Sequence, residues 1–259
     1  MAFNFIPEAL TQRLEQSLFR QRQPIEVSTG TLIKVDGQHY INFASNDYLG
    51  MRQSMEVMQA WVDGISEFGG GSGASPLVTG YTQAHHALET YLAEALGREQ
   101  VLLFNSGFAA NQAICQALFN ESNGPTGSIV ADKLIHASLI DGAQASSAHF
   151  LRYRHNDLNH LQQQLCKTSG DTLVVTEGVF SMDGDAAPVH NMLPIVDAHQ
   201  AWLMLDDAHG FGVLGTTGMG SAEALALSQQ QLPVLMATFG KAIGTAGAFV
   251  AGSRELIDY

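Results

Sequence analysis

The chain has 259 residues, 46% of them hydrophobic and 26 of them glycine, a balance that suits one large α/β domain with a substantial core and not a string of small modules. Its 25 acidic against 12 basic residues give a net charge of -13, which argues against a nucleic-acid binder or a membrane-surface protein and points to small-molecule partners. The only cysteines, Cys115 and Cys166, lack CxxC spacing, so neither a disulfide framework nor a zinc site is indicated, and a reduced, cytoplasmic setting fits.

The first segment, MAFNFIPEALTQRLEQSLFRQRQP, has no basic start, unbroken apolar stretch or cleavage site of a secretory signal. It reads as an amphipathic helix ended by Pro24, with Arg13, Arg20 and Arg22 on a solvated face. No apolar run approaches the length of a membrane-spanning helix. Next, TLIKVDGQHYINF alternates apolar and polar residues around Asp36-Gly37, which predicts a hairpin. Helix and hairpin form an arm over residues 1–45, and the body spans 46–259.

Within the body, strand-like and helix-like stretches alternate. VLLFNS precedes a helix through AANQAICQALF, SIVAD precedes one around HASLIDGAQAS, and HFLRY precedes NHLQQQLCK; TLVVTEG, AWLMLDDAHG, VLMATFG and AGAFVAGS follow. Strands apolar on both faces and separated by helices predict a mostly parallel sheet with helices on both faces, whose ligands sit at the carboxyl ends of the strands.

Several short patterns carry less than they suggest. Gly210, Gly212 and Gly215 match G-x-G-x-x-G after a strand, and Gly69, Gly71 and Ala74 match its looser form, but neither is followed by an acidic residue at the end of a second strand. TFGKA lacks the first glycine and the Ser or Thr of a P-loop. SMDGDAAP fails the EF-hand ligand pattern, and Asp206, Asp207 and His209 are too few convergent ligands to argue for a metal.

Among four lysines, Lys241 alone follows an apolar strand, PVLMATF, and is flanked by Gly240, Ala242 and Gly244, which leave room for a bulky group. Partial desolvation there lowers an amine's pKa and makes it a better imine-forming nucleophile, although an ordinary strand-to-helix loop explains the lysine equally well when it is taken alone. The other strand ends read as a cradle for pyridoxal 5'-phosphate (PLP). Asp206 closes AWLMLD, where a carboxylate can pair with a protonated pyridine nitrogen, and His209 can hydrogen-bond the ring's phenolic oxygen. Ser106, Gly107 and Phe108 stand where a strand turns into a helix, so free N–H groups can hold a phosphate; Thr238 adds a hydroxyl, and His136, opening a helix, can lie flat on a ring.

SNDYLG (45–50), SGFAAN (106–111), HAS (136–138), TEGVFSMDGD (176–185), DDAHGFGVLG (206–215) and TFGKAIG (238–244), in order and at consistent spacing, resemble the α-oxoamine synthases. The resemblance covers the chain from about Arg20 onward. It implies the large domain of a fold-type I PLP-dependent transferase, with the C-terminal small domain absent. It implies Lys241 as the Schiff-base lysine, Asp206 at the pyridine nitrogen, His209 at the phenolic oxygen, His136 stacked on the ring, Gly107 and Phe108 at the phosphate, and Ser181 and Thr238 touching the cofactor. Asn46 would meet the substrate carboxylate and Arg20 the acyl substrate, which displaces the solvated-face reading of Arg20.

The fourth and fifth motifs look most like the branch that joins L-alanine to a pimeloyl thioester, carried on CoA or a carrier protein; a branch using glycine and acetyl-CoA is the alternative. GSGASPLVTGY differs from the commoner GSGGS-type run at Ala74, Ser75 and Pro76, which leaves acyl-chain specificity open. The family's C-terminal domain supplies an arginine for the amino-acid carboxylate and contacts to a neighbouring subunit in a homodimer. A chain ending at Tyr259 is therefore expected to bind PLP but to be catalytically crippled alone.

Overall fold

The computed structural model describes residues 2–120 and 127–259, and these fall into two units, Met1–Ser45 and Asn46–Tyr259. In the first unit, helix α1 spans Ile6–Glu15 and does not reach Pro24 as expected from the sequence. It stops because Ser17 adopts a left-handed conformation at φ 57, and Leu18 N–H then donates to Arg13 O (2.8 Å) while Ser17 N–H donates to Leu14 O (3.1 Å). That pair of bonds closes the last turn without a glycine. Arg20 thus lies beyond the helix, in an exposed irregular segment. The hairpin forms as read: β2 (Leu32–Val35) and β3 (Gln38–Ile41) flank Asp36 and Gly37 at φ 48 and 76, and β1 (Val27–Thr29) adds a third antiparallel strand. Two consecutive positive φ values are what a tight two-residue hairpin turn requires.

In the second unit, α2 (Met55–Phe68) and α3 (Gln83–Leu96) precede a seven-stranded sheet. Its strands are β4 (Gln100–Phe104), β5 (Ser128–Asp132), β6 (His149–Tyr153), β7 (Thr172–Glu177), β8 (Trp202–Asp206), β9 (Val234–Thr238) and β10 (Ala248–Gly252), in spatial order 4-10-9-8-7-5-6. All neighbouring pairs are parallel except those made by β10, which runs antiparallel to β4 and β9. The helices are α4 (Gly107–Leu118), α5 (Ala137–Ala145), α6 (Leu158–Leu165), α7 (Val189–Ala198) and the short α8 (Ser221–Ala224) and α9 (Arg254–Asp258). No helix among the described residues is long and apolar enough to cross a membrane.

Strand alternation sorts the core into two layers. Val130, Val174, Leu203, Leu205 and Leu235 pack with Leu161, Met192 and Val196 of α6 and α7, whereas Ile129, Ala131, Val175, Met204 and Met236 pack with Ala110, Ile114 and Leu139 of α4 and α5. The inner strands are buried on both faces, which is why they read as unbroken apolar runs. The chain leaves β5 towards β6 but leaves β7 towards β8, and this reversal of winding opens a crevice outside the carboxyl ends of the strands.

Helices α4 and α5 meet at Gly142, where a Cβ would lie 3.0 Å from Gln112 Cα, 3.1 Å from Asn111 O and 3.2 Å from Cys115 Cβ. A branched side chain there must push the helices apart. Gly142→Val is expected to lower unfolding stability by about 1–3 kcal/mol, measured as the shift in the urea midpoint at unchanged slope.

Candidate active site

Asp206 and Thr238 end strands, and Lys241, His209, His136 and Ser106 stand in the segments just past strand ends. Asp206, the last residue of β8, is 4% exposed; Glu177, the last of β7, is 3% exposed and lies directly beside it in parallel register. Their side chains share the face covered by α4 and α5, which accounts for the direction of their ionisation. Burial raises the Asp206 pKa, opposed by hydrogen bonds from Asn111 and Ala208 and by the charges of Lys241 and His136. The Glu177 carboxyl is pushed up to about 8, first by burial and then by the Asp206 charge.

Asn111, buried on α4, donates to Asp206 Oδ2 (2.8 Å) and to Ser138 Oγ (3.0 Å). Ser138 Oγ lies 2.7 Å from His136 Nδ1, which also accepts the Ser138 N–H (3.2 Å) as the N-cap of α5. One amide therefore links the strand-end carboxylate to the helix-opening histidine. Ala208 N–H donates to the other Asp206 oxygen (3.1 Å).

On the far side of Asp206, Lys241 Nζ lies 2.7 Å from His209 Nε2, and His209 Nδ1 lies 2.6 Å from the Tyr48 hydroxyl. Burial, followed by the charges of Lys241 and His136, brings the His209 pKa down to about 4, so the ring is neutral. With the lysine donating to Nε2, the ring proton sits on Nδ1 and goes to Tyr48 Oη, whose own hydrogen remains for Asn46 Oδ1 at 3.3 Å. The Lys241 pKa is lowered by burial, with Asp206 and Glu177 acting against the shift. This is the partly desolvated amine that nucleophilic chemistry requires.

Ser106 caps α4 by accepting the Ala109 N–H (3.2 Å), and a Cβ on Gly107 would lie 3.7 Å from Met236 Cε and 4.0 Å from Thr238 Cβ. The open helix start and Thr238 therefore adjoin. Thr238 also organises the loop that carries Lys241: its hydroxyl donates to Gly247 O (2.8 Å) and accepts the Gly240 N–H (3.2 Å).

Phe108 and Asn46 are exposed, Ser181 stands in an exposed turn, and Arg20 belongs to the first unit. The structure thus brings together Lys241, His209, Asp206, His136, Gly107 and Thr238. Sequence reasoning passed over Asn111, Ser138, Glu177 and Tyr48 as individuals. Glu177 carries the same signal that identified Asp206, a charge closing an apolar strand, and Asn111 is an amide on the otherwise apolar face of AANQAICQAL.

The residues fit PLP by the chemistry of the donor set. Asp206 is a buried carboxylate that two N–H donors orient but that forms no ion pair among the described residues, and a cationic ring nitrogen would offset its burial. Glu177 supplies a check on these electrostatics. Because its folded-state pKa is raised above 4.5, it contributes stability below that value and loses it as pH rises through about 8. Glu177→Gln is expected to match the wild type in urea melts below about pH 4.5 and to exceed it by a margin that grows with pH until it levels off above about 8.

The chain resembles known proteins in sequence and in fold. Residues 38–259 match the aminotransferase class I and II family. The chain is 48% identical to an 8-amino-7-oxononanoate synthase of Cellvibrio japonicus and 50% identical to one of Thioalkalivibrio sulfidiphilus, covering 96% of this chain but 62% and 63% of those proteins. A serine palmitoyltransferase from S. paucimobilis, solved with a bound PLP-myriocin aldimine, superposes with a TM-score of 0.87 at 29% identity over 99% of this chain and 64% of that one. The 8-amino-7-oxononanoate synthase of Francisella tularensis superposes at 0.72 with 33% identity, over 84% of this chain and 59% of that one. The expected fold is borne out as the large domain of a fold-type I PLP-dependent transferase, as is the likeness to the α-oxoamine synthases, and the chain belongs to the class I and II aminotransferase family.

Proposed function

We propose that the chain binds PLP at the strand ends through Lys241. In this reading the whole protein condenses L-alanine with a pimeloyl thioester of CoA or acyl carrier protein, releasing carbon dioxide and the free thiol and forming 8-amino-7-oxononanoate for biotin synthesis. The observation that carries the reading is the 2.7 Å contact between Lys241 Nζ and a neutral His209, beside the buried Asp206 carboxylate. The identity of about half to the two synthases, over nearly all of this chain, favours alanine and a pimeloyl group.

When bound, PLP supplies a sink for the electron pair left at the amino acid's Cα. Asp206 holds the ring nitrogen in its protonated state, with Asn111 and Ala208 keeping the carboxylate aimed. With Lys241 engaged by the cofactor, neutral His209 would carry its proton on Nε2 and donate it to the phenolic oxygen, while Nδ1 accepts the Tyr48 hydroxyl that tethers the ring. His136, fixed as the N-cap of α5 and through Ser138, covers the ring, while Ser106, Gly107, Phe108, Thr238 and Ser181 serve the phosphate and cofactor edge. Lys241 Nζ, its pKa lowered by burial, takes the substrate Cα proton and later returns one. Asn46 meets the substrate carboxylate and Arg20 the acyl chain. A homodimer fits the same reading, since Met55, Met58, Trp61, Val62 and Ile65 of α2 are exposed apolar side chains. A cytoplasmic location suits its soluble substrates.

Incubation with PLP followed by borohydride reduction and peptide mapping is expected to place a permanent adduct on Lys241, and none in Lys241→Ala. Labelling elsewhere, or equal labelling of both proteins, overturns the assignment. For the whole protein, alanine with a pimeloyl thioester is expected to outrun every other pairing of alanine, glycine or serine with pimeloyl, acetyl or palmitoyl thioesters. Preference for glycine with acetyl-CoA sinks the substrate assignment.

A further inference from the structure

A second polar cluster, which none of these roles uses, lies at the ends of β5 and β6. Asp132, fully buried at the end of β5, accepts the Leu134 N–H at Oδ1 (2.8 Å) and the Asn156 N–H at Oδ2 (2.9 Å). Its Oδ1 also lies 3.0 Å from His155 Nδ1, and the other ring nitrogen, Nε2, lies 2.8 Å from Asp185 Oδ2. Asp185 closes a small hairpin in which Val179 pairs with Ala186, Phe180 N–H donates to Asp185 O (2.8 Å) and Gly184 N–H donates to Phe180 O (2.9 Å). Asn156, held at φ 52, adds donations to Asp185 Oδ2 (2.9 Å) and Ala186 O (3.2 Å), and Phe180 packs edge-on against the imidazole at 4.5 Å.

A neutral imidazole has one N–H and one lone pair, so it would set that lone pair against a carboxylate oxygen at 2.8 or 3.0 Å. Only the imidazolium donates to both. The charged groups facing the ring are Asp132 from β5 and Asp185 from the hairpin. Nearby, Arg154 is committed to Asp157 at 2.7 Å, Arg152 donates to Lys133 O, and burial keeps the Tyr153 phenol protonated. Burial by itself would lower the His155 pKa, but hydrogen bonds to Asp132 and Asp185 turn the net shift upward.

We propose that His155 is a positioning residue: as an imidazolium clamped between Asp132 and Asp185 it fixes the Val179–Ala186 hairpin and, with it, Ser181. The consequence for PLP rests on the reading of Ser181 given above. Because the folded-state pKa is raised, the clamp is fully made below the ordinary histidine pKa and is lost as pH rises through the raised value.

The test is imidazole 15N NMR of the 259-residue chain across pH, together with PLP half-saturation measured by visible absorption, in wild type and Asp185→Asn. Protonation of both His155 nitrogens at neutral pH is expected, with a titration midpoint about one unit lower in D185N. The variant's PLP half-saturation is expected to rise about fivefold near pH 6 and to converge on the wild type near pH 9, with faster amide exchange at Phe180 and Gly184 at the lower pH only. A neutral His155 in the wild type at neutral pH, or a D185N effect of the same size at both pH values, overturns the clamp. If neither protein binds PLP, the cofactor reading fails, while the nitrogen shifts and amide exchange still decide the clamp.

Discussion

Burying the Asp206 carboxylate is the constraint around which the carboxyl end of the sheet is organised. Desolvation opposes its charge, and that charge in turn raises the pKa of its neighbour in register, Glu177. Asn111 counters the desolvation, and its amide bridges Asp206 and Ser138 where α4 and α5 pack in near backbone contact at Gly142. The helix start at Gly107, the N-cap histidine of α5 and the last residue of β8 are consequently held as one piece. A side chain fixed in this way through its supports reproduces its geometry without a ligand to arrange it.

The loops beyond the strands follow the same economy, with strand-end side chains folding the segments that come next. Asp207 accepts the Ser221 N–H (2.7 Å) and hydroxyl (2.5 Å), tying the return of the loop that starts at His209. A Cβ at Gly178, Gly210 or Gly220 would overlap its carboxylate, so the glycines of DDAHG and its surroundings leave room for that charge instead of binding a dinucleotide. Thr238 performs the same service for the Lys241 loop and Asp132 for the turn at Asn156.

Much of this was legible in the sequence wherever burial enforces a simple pattern. SIVAD, TLVVTE and WLMLD are apolar throughout because helices cover both of their faces, and Asp206 showed because a charge ending such a strand demands a reason. The end of α1 was not legible: its stop depends on Ser17 taking a left-handed conformation, a choice made by two backbone bonds that composition does not reveal, whereas Pro24 merely looks like a terminator. The reversed direction of β10 follows from residues 239–247, a connection shorter than the roughly dozen residues a parallel crossover needs, with Phe239 bonding both Gly247 and Thr245 across it. The roles of Asn111 and His155 could not be read locally, because their partners lie on other strands and loops, 95 positions away for Asp206 and 30 for Asp185.

Four buried or largely buried carboxyl groups at adjoining strand ends raise the question of which of them carries a proton. Asp132 meets two backbone N–H groups and an imidazole, and Asp206 meets an amide and a backbone N–H, whereas Glu177 draws on one backbone N–H and the field of Lys241. The carboxyls of Glu177 and Asp207 are pushed up to about 8 and about 7, in both cases chiefly by burial and further by the Asp206 charge. Part of that upward push depends on the charge at Asp206. Any cation delivered there relieves the repulsion that raises Glu177 and pulls its pKa back towards the ordinary carboxylate range, so occupation of the site and ionisation of Glu177 are linked, each favouring the other.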